Sequence, residues 1–165
     1  MVLRENLRLR GLWLVWGVYA VITFAAVLHH QPWRDEAQGW LIVRDLGLGD
    51  VIRQMPYEGT PPLWHLLVMP LAKAGLPYSS QNWLHYALAQ GAMFLLLFGT
   101  RLPRVFKLLL PFGYYFLFEY CVIARNYLLT VFLLMLIACV YERRLQQPVR
   151  HGLLVALLAW TNIHS

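Results

Sequence analysis

Charge is scarce in this chain. Only 13% of its 165 residues are Asp, Glu, Lys or Arg, against about 25% in a soluble domain, too few to build a water-facing surface. Cysteine is scarcer still. Cys121 and Cys139 both lie inside apolar runs and lack metal-ligand spacing, so they read as ordinary buried thiols. There is no internal repeat and no low-complexity tract. Nor is there a continuous basic face of the kind a nucleic-acid site needs, so the net charge of +6 does not imply a nucleic-acid partner.

What fills the space is apolar and aromatic. Hydrophobic residues make up 59% of the chain and aromatics 15%, with seven Trp and nine Tyr, and the mean hydropathy is +0.52. Trp and Tyr favour the membrane–water boundary. The few charges are also segregated. Asp35, Glu36, Asp45, Asp50 and Glu58 lie within residues 29–60, whereas the basic residues form short clusters beside apolar runs: Arg4, Arg8 and Arg10; Arg101, Arg104 and Lys107; Arg143, Arg144 and Arg150. That placement is what positive-inside orientation produces. The fold class expected is all-α, a polytopic integral membrane protein with an external loop carrying interfacial helices.

Residues 11–28 carry no charge and would span about 27 Å as a helix. With no clear cleavage site after them, they read as an uncleaved first span with a cytoplasmic N-terminus. Residues 29–60 are the longest polar stretch. Within it, 35–46 suits an interfacial helix opened by Asp35, Gly47 and Gly49 would stop that helix, and Asp50 would cap a short one over 51–55. The apolar run 61–76 is short and contains Pro70 and Lys73; 83–99 is longer, with His85 and Gln90 in its polar first half. Residues 108–141 would form one helix of about 51 Å, too long for a core of about 30 Å. Glu119, Arg125 and Asn126 divide it. A shorter apolar run covers 152–160. If 101–107 and 141–151 are cytoplasmic, the turn near 119–126 faces outward, as the first loop does. Residues 61–99 then cross an odd number of times, which makes one of their two runs re-entrant or interfacial.

Three groups carry candidate chemistry. Asp35 and Glu36 follow the first span directly; a carboxylate there can act as a general base or hold a divalent cation, or Asp35 can simply cap a helix. Glu58 and His65 bracket Pro61-Pro62, which fixes an extended entry into the next helix; the plainer reading is a rigid junction with Trp64 as an interface anchor. Arg125, Asn126 and Tyr127 interrupt a lipid-compatible run. Arg125 matches phosphate geometry, or it snorkels from a turn near the surface. A turn there could also bring Glu119 to Arg125. His29 and His30 have no further ligands at zinc-like spacing and read as interfacial polar residues.

An uncharged first helix, then Asp35-Glu36, then Glu58-Gly59-Thr60-Pro61-Pro62-Leu63-Trp64, then Ala124-Arg125-Asn126-Tyr127 resembles the order found in GT-C membrane glycosyltransferases. Within them it is most similar to relatives of the dolichyl-phosphate-mannose–protein mannosyltransferases and the lipid A aminoarabinose transferase. The resemblance covers about residues 10–145. It implies transfer of a sugar from a polyprenyl-phosphate donor to a glycan, lipid or protein acceptor, on the non-cytoplasmic face of the inner (plasma) membrane. It implies catalytic roles for Asp35 and Glu36 and substrate-binding roles for Glu58, His65, Arg125, Asn126 and Tyr127. The family often has a second Asp where this chain has Arg125 and Asn126; a divalent metal stays open as cofactor, with no metal ligands assigned. Residues 1–165 would then be one transmembrane module, the N-terminal portion of a longer enzyme. The alternative is a transporter or flippase segment handling a lipid-linked substrate.

Overall fold

The computed structural model describes residues 2–162, with side chains from residue 9 onward; the side chains of Arg4 and Arg8 lie outside the described residues. The described chain is helical, without a β-strand. The first helix, α1 (Val2–Leu28), includes the uncharged run. Polar residues 29–60 fold into α2 (Arg34–Asp45) and α3 (Leu48–Glu58), and α4 (Leu63–Lys73) follows the double proline. Next, α5 (Ser79–Phe94) continues into five π-helical residues, Leu95–Gly99, for a combined length of about 30 Å. After that come α6 (Arg104–Leu109), α7 (Tyr120–Val122), α8 (Asn126–Val140) and α9 (Pro148–Ala159).

Among the described residues two helices are long and apolar enough to cross a membrane, Leu9–Leu28 and Asn126–Arg143; a third is gained if the bent pair 104–112 and 115–122 counts as one span. The expected break in 108–141 lies at Ile123–Arg125, where the backbone is extended. The first half of that run is not one straight helix. It bends by 59° at Gly113, which follows a 3-10 turn containing Pro111. Of the two runs within 61–99, α4 has only 11 residues, about 16 Å, too short to cross. The longer α5 places its polar residues inward. Gln90 donates to Thr23 Oγ1 at 3.0 Å, and His85 Nε2 meets the Tyr120 carbonyl at 3.0 Å.

Helix directions follow from side-chain contacts. α1 and α5 run antiparallel: the Tyr86 hydroxyl donates to the Ala20 carbonyl, Trp16 Nε1 donates to the Gln90 carbonyl, and Trp13 stacks near Phe98. α5 and α8 run in the same direction and approach closely. A Cβ on Gly91 would lie 2.9 Å from the Phe132 ring, and one on Gly99 would lie 2.5 Å from Cys139 Sγ. Thr130 bonds Thr161 while Tyr141 meets His151, so α9 returns antiparallel to α8. The bundle core holds Tyr19, Ala89, Met93, Leu96, Leu97, Cys121 and Leu128. Of the two thiols expected to be buried, Cys121 is so and Cys139 is only partly covered.

One end of this bundle gathers Arg101, Arg104, Lys107, Arg143, Arg144 and Arg150. Lys107 donates to the Leu97 and Thr100 carbonyls at 2.8 and 2.7 Å, satisfying acceptors that the end of a helix leaves open. The other end is capped by α2, α3 and α4, which share a second core of Trp40, Val43, Val51, Met55, Trp64, Val68 and Ala72, joined by Ala124 from the break. Trp64, expected as an interface anchor, is instead buried, with its ring edge-on to His85 at 5.6 Å.

Candidate functional site

The capping layer and the break at 123–126 enclose a polar pocket of about 250 Å³, lined by Asp35, Gln38, Gly39, Tyr57, Glu58, Thr60, Trp64, His65, Ala124, Arg125 and Asn126. Five residues singled out in sequence, Asp35, Glu58, His65, Arg125 and Asn126, therefore share one cavity. They arrive from three places: the first turn of α2, the α3–α4 junction and the start of α8. Gly59 makes that junction possible. Its φ of 65° lies in the left-handed region where a Cβ is disfavoured, and the chain turns there toward Pro61-Pro62.

Asp35 and Arg125 form an ion pair at 2.7 Å, the carboxylate about half exposed and the guanidinium a quarter exposed. The first loop and the 119–126 turn thus meet at one end of the bundle. Arg125 takes Asp35 as its ion partner, not Glu119; Glu119 instead lines a separate groove beside His29, His30 and Trp33. Asn126 is buried and donates to the Thr161 carbonyl at 2.8 Å. Glu58 accepts from Gln38 at 2.8 Å and from Gln54 at 3.0 Å. His65 is buried and its Nδ1 has no hydrogen-bond partner; burial holds its pKa below the ordinary value, against the opposing pull of Glu58 and with Arg125 adding to the depression.

Two expected residues lie elsewhere. Glu36, paired in sequence with Asp35, does not line the pocket. Its side chain is wholly buried, and its carboxylate accepts from the Trp33 amide at 2.7 Å, meets His30 Nε2 at 2.8 Å, and accepts from the Ala124 amide. Capping of α2 therefore falls to Glu36 reaching back to Trp33, half of a capping box, and not to Asp35. His30, expected to be a simple interfacial residue, is the side-chain partner of that carboxylate. Tyr127 also stands outside the cavity. Its ring lies 5.5 Å from the Arg125 guanidinium, a cation–π distance. Likewise Asp50 does not cap a helix over 51–55: α3 starts earlier, at Leu48, and Asp50 pairs with Arg53 at 3.0 Å.

Sequence reasoning missed Gln38, Tyr57 and Thr60. Gln38 and Gly39 were findable, since i+3 and i+4 from Asp35 share its helix face. Tyr57 is 86% exposed and offers a bare aromatic face at the pocket rim, which no local pattern announced. The lining offers few free donors to a divalent cation. Arg125 already places a positive charge at Asp35, and among the described residues no group of three or more His, Cys, Asp or Glu could hold a metal ion.

Chemically, the pocket combines a carboxylate poised by a guanidinium, a second carboxylate held by two amides, and an exposed tyrosine ring. No protein-family model, no curated protein and no solved structure matches this chain.

Proposed function

We propose that this chain is a membrane-embedded sugar transferase of the GT-C type, using a polyprenyl-phosphate-linked donor at the end of the bundle that carries the pocket. The observation that carries the reading is the convergence of Asp35, Glu58, His65, Arg125 and Asn126 on one cavity. Membrane insertion is supported by the exposed apolar faces: only 17% of the Leu9–Leu28 window and 28% of Asn126–Arg143 are covered by the rest of the chain, and lipid is the solvent that such surfaces suit. The arginines at the opposite end fit a cytoplasmic, inner-membrane-facing side.

In this reading the donor phosphate competes with Asp35 for the Arg125 fork, which matches phosphate bidentately. Released from that pair, Asp35 takes the proton of the acceptor hydroxyl. The hydroxyl oxygen forms its bond to the anomeric carbon as the bond from that carbon to the phosphate oxygen breaks. The electron pair leaves with the polyprenyl phosphate, whose charge Arg125 meets. Glu58 and Gln38 offer hydrogen bonds to sugar hydroxyls, and the Tyr57 face suits stacking on the ring.

Asp35→Ser, introduced at the native locus, keeps a side-chain oxygen but removes the carboxylate. Transfer from a radiolabelled polyprenyl-phosphate sugar in isolated membranes should fall by about 10²-fold or more, as for loss of a general base. Full transfer would remove Asp35 from the chemistry. Orientation is tested separately, in a background lacking Cys121 and Cys139. A cysteine at position 57 should react with an impermeant thiol reagent on intact cells, and one at position 145 only after the cytoplasmic side is opened; the reverse pattern would overturn the arrangement.

A further inference from the structure

The basic end of the bundle holds a larger cavity than the pocket. The end of α5, the end of α8 and the start of α9 enclose a groove of about 840 Å³. Its lining changes character along α8. Leu134, Ile137 and Ala138 form an apolar wall toward the middle of the bundle, and Arg101, Arg143 and Arg150, all exposed, stand at its outer end. Among the described residues that line the groove, the one carboxylate is Glu142, which pairs with Arg101, so this lining keeps an excess of positive charge.

Each half excludes a simple occupant. A free phosphate would use the arginines but leave the apolar wall in contact with water. A hydrocarbon chain alone would use the wall but gain nothing from the guanidinium groups. A molecule joining the two, in that order, is a phospholipid with an anionic headgroup. Basic pockets between membrane helices on the cytoplasmic side favour such headgroups, and guanidinium is suited to phosphate oxygens. We propose that this groove binds an anionic phospholipid, the phosphate against Arg143 and Arg150 and an acyl chain along Leu134 and Ile137. The inference rests on the membrane reading given above but not on sugar transfer.

The test uses the full chain purified in mild detergent, with phosphatidylglycerol and phosphatidylcholine added in equal amounts and retained lipid counted by native mass spectrometry. Phosphatidylglycerol should be retained about tenfold or more over phosphatidylcholine, and the combined substitution R143Q/R150Q should abolish the preference. Ile137→Trp fills the apolar wall without altering charge, and it should lower retention of phosphatidylglycerol while leaving insertion intact. Equal retention of the two lipids by the unaltered chain would overturn the proposal and mark the groove as a face for another polypeptide. Displacement of the lipid by millimolar inorganic phosphate, with no effect of Ile137→Trp, would overturn it in favour of a simple anion site. Alkaline carbonate extraction separates the two premises: a chain released from membranes fails the membrane reading, whereas a retained chain without lipid preference fails this inference alone.

Discussion

The two ends of the bundle handle charge in opposite ways. At the pocket end, charges are drawn inward and fixed: Glu36 is fully buried among three donors, and Asp35 is tied to Arg125 across 90 positions of sequence. At the basic end the arginines stand in the open, with contacts close in sequence or on the rim, such as Arg144 over the Tyr141 ring at 4.0 Å and Arg101 beside Glu142. The first arrangement specifies a geometry. The second provides a field, which under the membrane reading proposed above would orient the chain without fixing any one side chain.

Glu36→Ala would break this contrast most severely. It leaves two backbone amides and His30 without their acceptor in a buried place, and such losses cost about 3 kcal/mol. Thermal unfolding in detergent, followed by far-UV circular dichroism, should show a clear drop in midpoint. A midpoint within a degree of the unaltered protein would mean that water replaces the carboxylate and the clamp has little value.

A smaller effect concerns His65. Because burial depresses its pKa, the unfolded chain binds the proton more readily than the folded one. The stability held by neutral His65 is thus complete above the ordinary value of 6.5 and is lost as pH falls toward the depressed folded value. Between about pH 7 and about pH 5, the unaltered protein should lose more stability than His65→Gln. Parallel pH profiles for the two would show that the ring reaches solvent.

The smallest effect is expected at the basic end. Arg144→Ala removes one cation–π contact near the surface, about 0.5 kcal/mol, and its unfolding midpoint should be nearly unchanged. A loss comparable to Glu36→Ala would erase the distinction between the two ends.

Much of this contrast was readable in the sequence, because segregated charge survives without knowledge of packing. The convergence of Asp35, Glu58 and Arg125 was expected from order along the chain and a consistent topology. The different fates of Asp35 and Glu36 were not, since adjacent carboxylates look alike in composition. Helical spacing did contain the answer: Glu36, Trp40 and Val43 fall on one face, and Trp40 and Val43 are core residues. The bend at Gly113 was likewise marked by Pro111 and Gly113, punctuators hidden inside an apolar run. The inward polar face of α5 was obscured for another reason. Hydropathy averages around a helix, and His85 and Gln90 each find one partner on α7 and α1 that only tertiary structure supplies.

The bond from the Ala124 amide to Glu36 also sets a clock. Its partners are 88 residues apart, and at about 5–20 residues per second a ribosome needs on the order of ten seconds to make the second after the first. Throughout that interval the third donor that completes the Glu36 shell is not yet made, and the first loop has no Arg125 to hold Asp35. The pocket is therefore begun early in synthesis and finished late, when the break before α8 emerges. A chain stalled short of residue 124 would carry the acidic half of the pocket without the guanidinium that pairs with Asp35.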